Sequence, residues 1–220
     1  MPSPSAIPYF AAAAFIAVTA SAQEIPVQAR QLALDSLHQQ VTKTAPPWAP
    51  FRSSTTDAGR VLDLVVDPRD ANVAYAGFDV GGVWKTIDGG LHWTPSTDDA
   101  LAIGTLAIDP LNPDILYAGT IALPYGAGIL KSIDAGATWS QISGPFATPT
   151  GWLDVVSIAV RGDKVLAATR QAIFRSEDAG KTWTATLTGR ASKVIFDDSG
   201  KAFAAIDNLG IFQSTDGGQT

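Results

Sequence analysis

One phrase recurs four times in this chain, as "GVWKTIDGGLHW" (Gly82–Trp93), "GILKSIDAGATW" (Gly128–Trp139), "AIFRSEDAGKTW" (Ala172–Trp183) and "GIFQSTDGGQT" (Gly210–Thr220). Its central residues Asp88, Asp134, Asp178 and Asp216 lie 46, 44 and 38 residues apart. Each unit reads in the same order. An apolar strand comes first ("RVLDLVV", "GTLAI", "VVSIAV", "SKVIF"), then a polar turn ("DPRDAN", "DPLNPD", "RGDK", "DDSGK"), then a second strand ("VAYAGF", "ILYAGT", "VLAATR", "AFAAID"). A third strand leads into the phrase and a fourth follows it. β-branched and apolar residues fill the strands, and Pro stays in the turns. A repeat of roughly 40–50 residues with four strands per unit is the period of a propeller blade. The expectation is therefore an all-β chain of four-stranded antiparallel blades at about 60–95, 102–142, 154–187 and 191–220, the last incomplete.

The phrase has a local physical logic. The Asp carboxylate can accept bonds from turn N–H groups that would otherwise stay unpaired, and the Ser or Thr two residues earlier offers a second partner. Gly90, Gly136, Gly180 and Gly218, two residues after each Asp, suit a positive φ. Trp93, Trp139 and Trp183 supply large apolar plates for the space beside each blade. His92 stands where other copies have Thr, which reads as a tolerant surface position.

This pattern, [ST]-x-D-[GA]-G-x-[TH]-W, resembles the Asp-box, or BNR repeat, shared by sialidases, sortilin-type receptors, xyloglucan-cleaving glycosidases and photosystem II assembly factors. The resemblance covers about three quarters of the chain. It implies a propeller whose Asp-boxes are turn staples on one face, with ligands bound among the variable loops of the other. Strand alternation supports the same division, because the first-to-second and third-to-fourth turns share one end of each blade.

Candidate ligand residues on the loop face are Asp79, Tyr125, Trp152, Asp154 and Arg170, with Phe146, Gln171 and Asn208 nearby. The segment "YAGFDVGGVWK" (Tyr75–Lys85) resembles one in xyloglucan-specific glycosidases in which an Asp is a catalytic carboxylate, which would give that role to Asp79. Such an enzyme needs a second facing carboxyl group about 5 or about 6.5–9.5 Å away, and Asp154 is the conceivable partner. Tyr125 and Trp152 could stack on sugar rings. Arg52 in "PFRSS" is only faintly similar to the sialidase Arg segment, and Tyr75 and Tyr117, in matching "YAG" strands, read as core. The "RGD" at Arg161–Asp163 is read as turn composition.

Composition narrows the remaining classes. The net charge of −6, with no basic run, offers nothing to nucleic acid or an anionic membrane. The absence of Cys excludes disulfides and thiolate metal sites, and two His (His38, His92) are too few for a His-rich site. No metal site and no cofactor is expected. The apolar run Ala6–Ala20 followed by "ASA" reads as a signal peptide over 1–22 with cleavage near Ala22, hence a secreted or periplasmic protein with no span in the mature chain. Residues 23–59 read as a short helix and a Pro/Ser/Thr-rich linker.

The leading expectation is a module that binds a protein or a polysaccharide through its loop face, without chemistry of its own. The alternatives are a glycoside hydrolase and an assembly or scaffold factor. Four units are fewer than the six to eight that usually close such a ring, so the blades should form an open arc, with exposed sheet edges that invite association. The fourth copy stops where its Trp should follow, so the expectation is also that the chain is an N-terminal fragment.

Overall fold

A computed structural model describes residues 59–97, 101–121, 127–142, 144–148 and 151–220, leaving aside the side chains of 147, 148, 151 and 152. The chain divides into units 1–50 and 51–220, and the described residues all belong to the second. The signal-peptide and 23–58 expectations, Arg52 and Tyr125 therefore lie outside the described residues.

Strands of three to seven residues dominate. Blade 1 is β1 (Val61–Val66), β2 (Ala74–Phe78), β3 (Val83–Thr86) and the two-residue β4 (Thr94–Pro95). Blade 2 is β5 (Ile103–Ile108), β6 (Leu116–Thr120), β7 (Ile129–Ser132) and β8 (Ser140–Ile142). A small hairpin of β9 (Ala147–Thr148) and β10 (Gly151–Trp152) follows. Blade 3 is β11 (Val155–Arg161), β12 (Lys164–Thr169), β13 (Ala172–Ser176) and β14 (Thr184–Thr188). Blade 4 has β15 (Ala191–Phe196), β16 (Ala202–Ile206) and β17 (Gly210–Ser214), with no fourth strand among the described residues. Each blade is an antiparallel meander in sequence order. The first strands β1, β5, β11 and β15 lie side by side, and each blade packs on the next. No sheet closes the array among the described residues, so the four blades form an open arc.

Three slabs of apolar side chains, one per blade-to-blade interface, make the core. Tyr75, Val83, Leu106 and Leu130 fill the first, with Trp139 against them. Tyr117, Ile129, Phe146 and Val165 fill the second, with Trp183 against them. Leu166, Ile173, Val194 and Ala202 fill the third. Phe146 is thus a core residue and not part of the loop face: it is 1% exposed and meets Phe174 and Trp183 edge-on at ring distances of 5.6 and 5.1 Å. Aromatic pairs in this arrangement contribute about 0.5–1.5 kcal/mol beyond their buried area.

The repeated turn is built alike in all four blades. In blade 2, Ser132 Oγ donates to Asp134 Oδ1 (2.8 Å) and accepts the Gly136 N–H (2.9 Å). Asp134 in turn accepts the Thr138 N–H (2.8 Å) and hydroxyl (2.6 Å). Asp178 and Asp216 repeat this with Thr182 and Thr220. In blade 1 the His92 ring takes the place of the Thr hydroxyl, with Nδ1 2.7 Å from Asp88 Oδ2. Position 92 is therefore a partner in the turn, not a merely tolerant surface site.

Glycine is required two residues after the Asp for two reasons. Gly136 has φ +79°, and a Cβ there would lie 2.8 Å from the buried Tyr75 ring of the preceding blade. One residue earlier φ is also positive, yet Ala135 and Ala179 occupy that position at +54° and +58°. Gly136→Ala is therefore expected to cost about 2–4 kcal/mol, combining left-handed strain with overpacking. Gly89→Ala, whose Cβ would meet only Asn72 Oδ1 at 3.4 Å, should cost under about 1 kcal/mol. Urea unfolding of the two variants checks this, and equal losses would show that close approach to Tyr75 is irrelevant.

Candidate functional site

The two ends of the blades differ in what they offer. At the turn end, backbone N–H groups of the repeated turn reach the first turn of the same blade: Gly89 to Asn72 O (3.0 Å), Ala135 to Asp114 O (2.9 Å) and Ala179 to Asp163 O (2.8 Å). Side chains then bind each turn to the preceding blade. Tyr75 Oη and Lys85 Nζ donate to Ala135 O (2.8 and 2.7 Å), Tyr117 Oη and Lys131 Nζ donate to Ala179 O (3.2 and 2.9 Å), and Arg175 Nε donates to Gly217 O (2.9 Å). Burial holds Tyr75 up at about 12 and pushes Tyr117 higher still, so both hydroxyls keep their protons and remain donors. The "RGD" turn is spent in the same way, with Gly162 N donating to Asp109 Oδ1 (3.0 Å) and Arg161 to Asp198 O (2.8 Å). These groups are therefore engaged with one another within and between the turns.

The carboxylates of the turns sit low for the same reason. Asp88, Asp134 and Asp178 are held at about 2, the first chiefly by the His92 N–H, the others by the Thr138 and Thr182 hydroxyls. Asp216 is held lower again, first by Ser214 and then by Thr220. A carboxyl group kept ionised by its own turn is a structural acceptor, not a proton donor for chemistry.

At the opposite, loop end, Asp79 and Arg60 face each other. Asp79 Oδ1 accepts the Arg60 N–H (2.7 Å), Oδ2 lies 3.4 Å from Arg60 Nε, and Asp79 N donates to Arg60 O (3.0 Å). Gly59, at φ +78°, lies so close that a Cβ would come within 2.5 Å of that carboxylate. Arg60 directly precedes the first strand of its blade and Asp79 directly follows the second. The same two positions in blade 3 are Asp154 and Arg170, paired at 2.5 Å with the charges reversed. In blade 4 they are Arg190 and Asp207, paired at 3.0 Å and again tied by Asp207 N to Arg190 O (2.8 Å). In blade 2 they are Ala102 and Ile121, tied by the backbone bond alone (2.9 Å).

Asp79 is therefore one instance of a position that recurs in every blade. The reversal of sign in blade 3 shows that the pairing recurs, not a carboxylate at a fixed place. A partly exposed ion pair of this kind contributes about 0–1 kcal/mol, so fold stability alone gives little reason for three of them. Asp79 and Asp154 belong to blades separated by blade 2, and each is turned to an Arg of its own blade. Of the other candidates, Trp152 is described only as the β10 residue whose backbone pairs with Ala147. Asn208 holds φ +63° in the blade 4 loop.

Sequence reading missed the ion-pair position, because Arg60/Asp79 and Asp154/Arg170 look unrelated until strand register aligns them. Among the described residues, no group of three or more His, Cys, Asp or Glu is placed to hold a metal ion. No helix there is long and apolar enough to cross a membrane.

Solved structures of similar fold lead to one conclusion. The chain superposes on an ancestral GH74 enzyme (TM-score 0.61, 22% identity, 80% of this chain and 25% of that one). It superposes likewise on the GH74 xyloglucanase from Xanthomonas campestris (TM-score 0.60, 21% identity, 77% and 31%). YCF48 bound to D1 peptide also matches (TM-score 0.56, 22% identity, 74% and 53%). The fold is a β-propeller arc. The chain spans about a quarter to a third of the two GH74 chains and about half of YCF48. At these identities the likeness concerns the propeller fold alone. No protein-family profile matches the chain, and no curated protein sequence matches it.

Proposed function

We propose that this chain is an Asp-box propeller, secreted or periplasmic, that binds a protein or a polysaccharide through its loop face and carries out no chemistry of its own. The observation that carries this reading is the recurrent ion-pair position: Arg60/Asp79, Asp154/Arg170 and Arg190/Asp207 put alternating charges along the loop face of three blades. Partly exposed carboxylates and guanidiniums of both signs suit a ligand rich in hydroxyl or amide groups, which can bond to either. At the turn end the repeated-turn carboxylates and the Tyr75, Lys85, Tyr117, Lys131 and Arg175 donors are already engaged within and between the turns. Tyr125 and Trp152 are proposed to add stacking area for sugar rings, and the acidic net charge argues against nucleic acid.

On this reading, Arg170→Ala and Trp152→Ala each weaken binding to the best glycan or peptide from an immobilised panel by at least about tenfold, the loss of roughly 1.4 kcal/mol. The melting temperature should stay within a few degrees. Unchanged binding in both variants would move the site elsewhere.

Glycoside hydrolysis is the second reading. It is favoured by the Tyr75–Lys85 segment and by the fold shared with a xyloglucanase. It requires sugar release from xyloglucan that disappears in Asp79→Ala. The binding reading expects no release from the intact chain, and release abolished in that variant would replace it. An assembly role is the third reading, prompted by the fold shared with YCF48, and it would show as binding to protein but not to glycans.

A further inference from the structure

Arg170 and Arg190 come from different blades, yet the backbone brings them together. The loop from β12 to β13 holds only Arg170 and Gln171. Beyond it, β13 and β14 pair with Ala172 opposite Thr188, and the pairing runs one step further, Gly189 N donating to Gln171 O (2.9 Å). Arg170 and Arg190 are the next residues on the two sides of that bond. Each is held by an Asp of its own blade, Arg170 Nε by Asp154 Oδ2 (2.5 Å) and Arg190 Nε by Asp207 Oδ2 (3.0 Å). Both contacts are made through Nε, and no other described residue forms an ion pair with either guanidinium. A guanidinium carries five N–H donors, so each keeps donors to spare. The arginine side chains are 52% and 58% exposed, against 21% and 40% for their carboxylate partners, so the cations are the more accessible members of both pairs.

Followed through these contacts, the order is Asp154, Arg170, Arg190, Asp207: two cations between two anions. The reversed sign of the blade 3 pair produces this order. With the order of blades 1 and 4, a carboxylate would stand next to Arg190; the reversal sets a second cation there. The same positions are Asp79 and Ala102 in the link from blade 1 to blade 2, and Ile121 and Asp154 in the link from blade 2 to blade 3. Among the described links, this is the one that joins two cations. Adjacent like charges repel, and a negative group received between them relieves that repulsion.

We propose that Arg170 and Arg190 together bind the carboxylate of a sugar acid, so that the ligand of the loop face is a uronic-acid polysaccharide; this rests on the reading that the loop face binds a ligand. Guanidinium N–H groups match a carboxylate in geometry as well as charge. Asp154 and Asp207 then accept from hydroxyl groups, which a uronate carries on the same ring as its carboxylate. An acidic peptide or a phosphate brings the charge without those hydroxyls and meets the two flanking carboxylates unpaired.

Titration calorimetry of the full chain with oligogalacturonates, oligoglucuronates and their methyl esters tests this. At least one free acid should bind, its ester at least about tenfold more weakly, and added salt should weaken the acid alone. Arg170→Gln and Arg190→Gln, at exposed side chains, should each weaken binding of the acid by about tenfold or more with little change in melting temperature. Lys181→Gln, which makes the same change in net charge at the turn end, should stay within about twofold of the parent chain. Ester bound as tightly as acid, or both arginine variants binding like the parent chain, would overturn the proposal. So would binding of a neutral oligosaccharide or a peptide with no binding of either uronate, a result that leaves the general binding role of the loop face standing. Failure to bind any sugar or peptide would overturn both.

Discussion

Tyr117→Ala should unfold this protein or leave it barely folded at room temperature. Tyr117 is fully buried at the second interface between blades, packed with Ile129, Phe146 and Val165. Lys131 Nζ lies 5.3 Å from its ring centre, and its hydroxyl donates to Ala179 O. Removing a buried aromatic ring typically costs about 3–5 kcal/mol, against a total stability of about 5–15 kcal/mol for a domain. In a repeat array each blade touches only its neighbours, so a hole in one slab also uncouples the blades on either side of it. Tyr117→Phe should cost only about 0.5–1 kcal/mol, because Lys131 Nζ remains bonded to the same carbonyl. Urea midpoints of the two variants check the expectation. A small loss for the Ala variant would mean that the interface between blades 2 and 3 contributes little.

The second large effect is on acid stability. Asp88, Asp134 and Asp178 titrate at about 2 in the folded chain, and Asp216 lower, against an ordinary value of 3.8. A carboxylate lowered by folding adds stability that is fully present above its unfolded value and lost as pH falls through its folded one. The chain should therefore be stable at pH 5 and above, then weaken steeply from about pH 4 to pH 2, as up to four turn carboxylates take up protons on unfolding. The chief causes are local donors, so the window can be moved. Replacing Thr138 and Thr182 by Val removes the leading donor to Asp134 and Asp178 and should shift the acid midpoint upward. Chemical denaturation from pH 6 to 2 measures this, and a flat profile below pH 4 would show that the turns do not couple to folding.

Much of the fold was legible in the residues alone. The strands and turns follow from local rules that act within a few positions: β-branched runs, Pro confined to turns, and an Asp with a Ser or Thr two residues before it. Even the turn geometry was largely readable, although the role of His92 was not, because a ring nitrogen replacing a hydroxyl is visible only as a distance. Phe146 was misplaced from sequence. It lies in a link between blades, where polar neighbours suggest a surface, and only the packing of Phe174 and Trp183 around it puts it in the core.

The candidate site was less legible. Asp79, Asp154 and Arg170 were picked out singly, from a resemblance or from a loop position. Their pairing partners are 16 to 19 residues away across a hairpin, and the sign reverses between blades, so no repeat of residue type marks the position.

The sequence by itself determined the repeat, and with it the number of strands per blade and the residues of each turn, because those depend on contacts close along the chain. The tertiary structure decided which faces meet and which stay open. Leu64 and Leu106 are the same residue at the same register, yet one is exposed and the other buried. The difference is that a described blade packs against Leu106 and none among the described residues packs against Leu64, which is a property of the array and not of either residue.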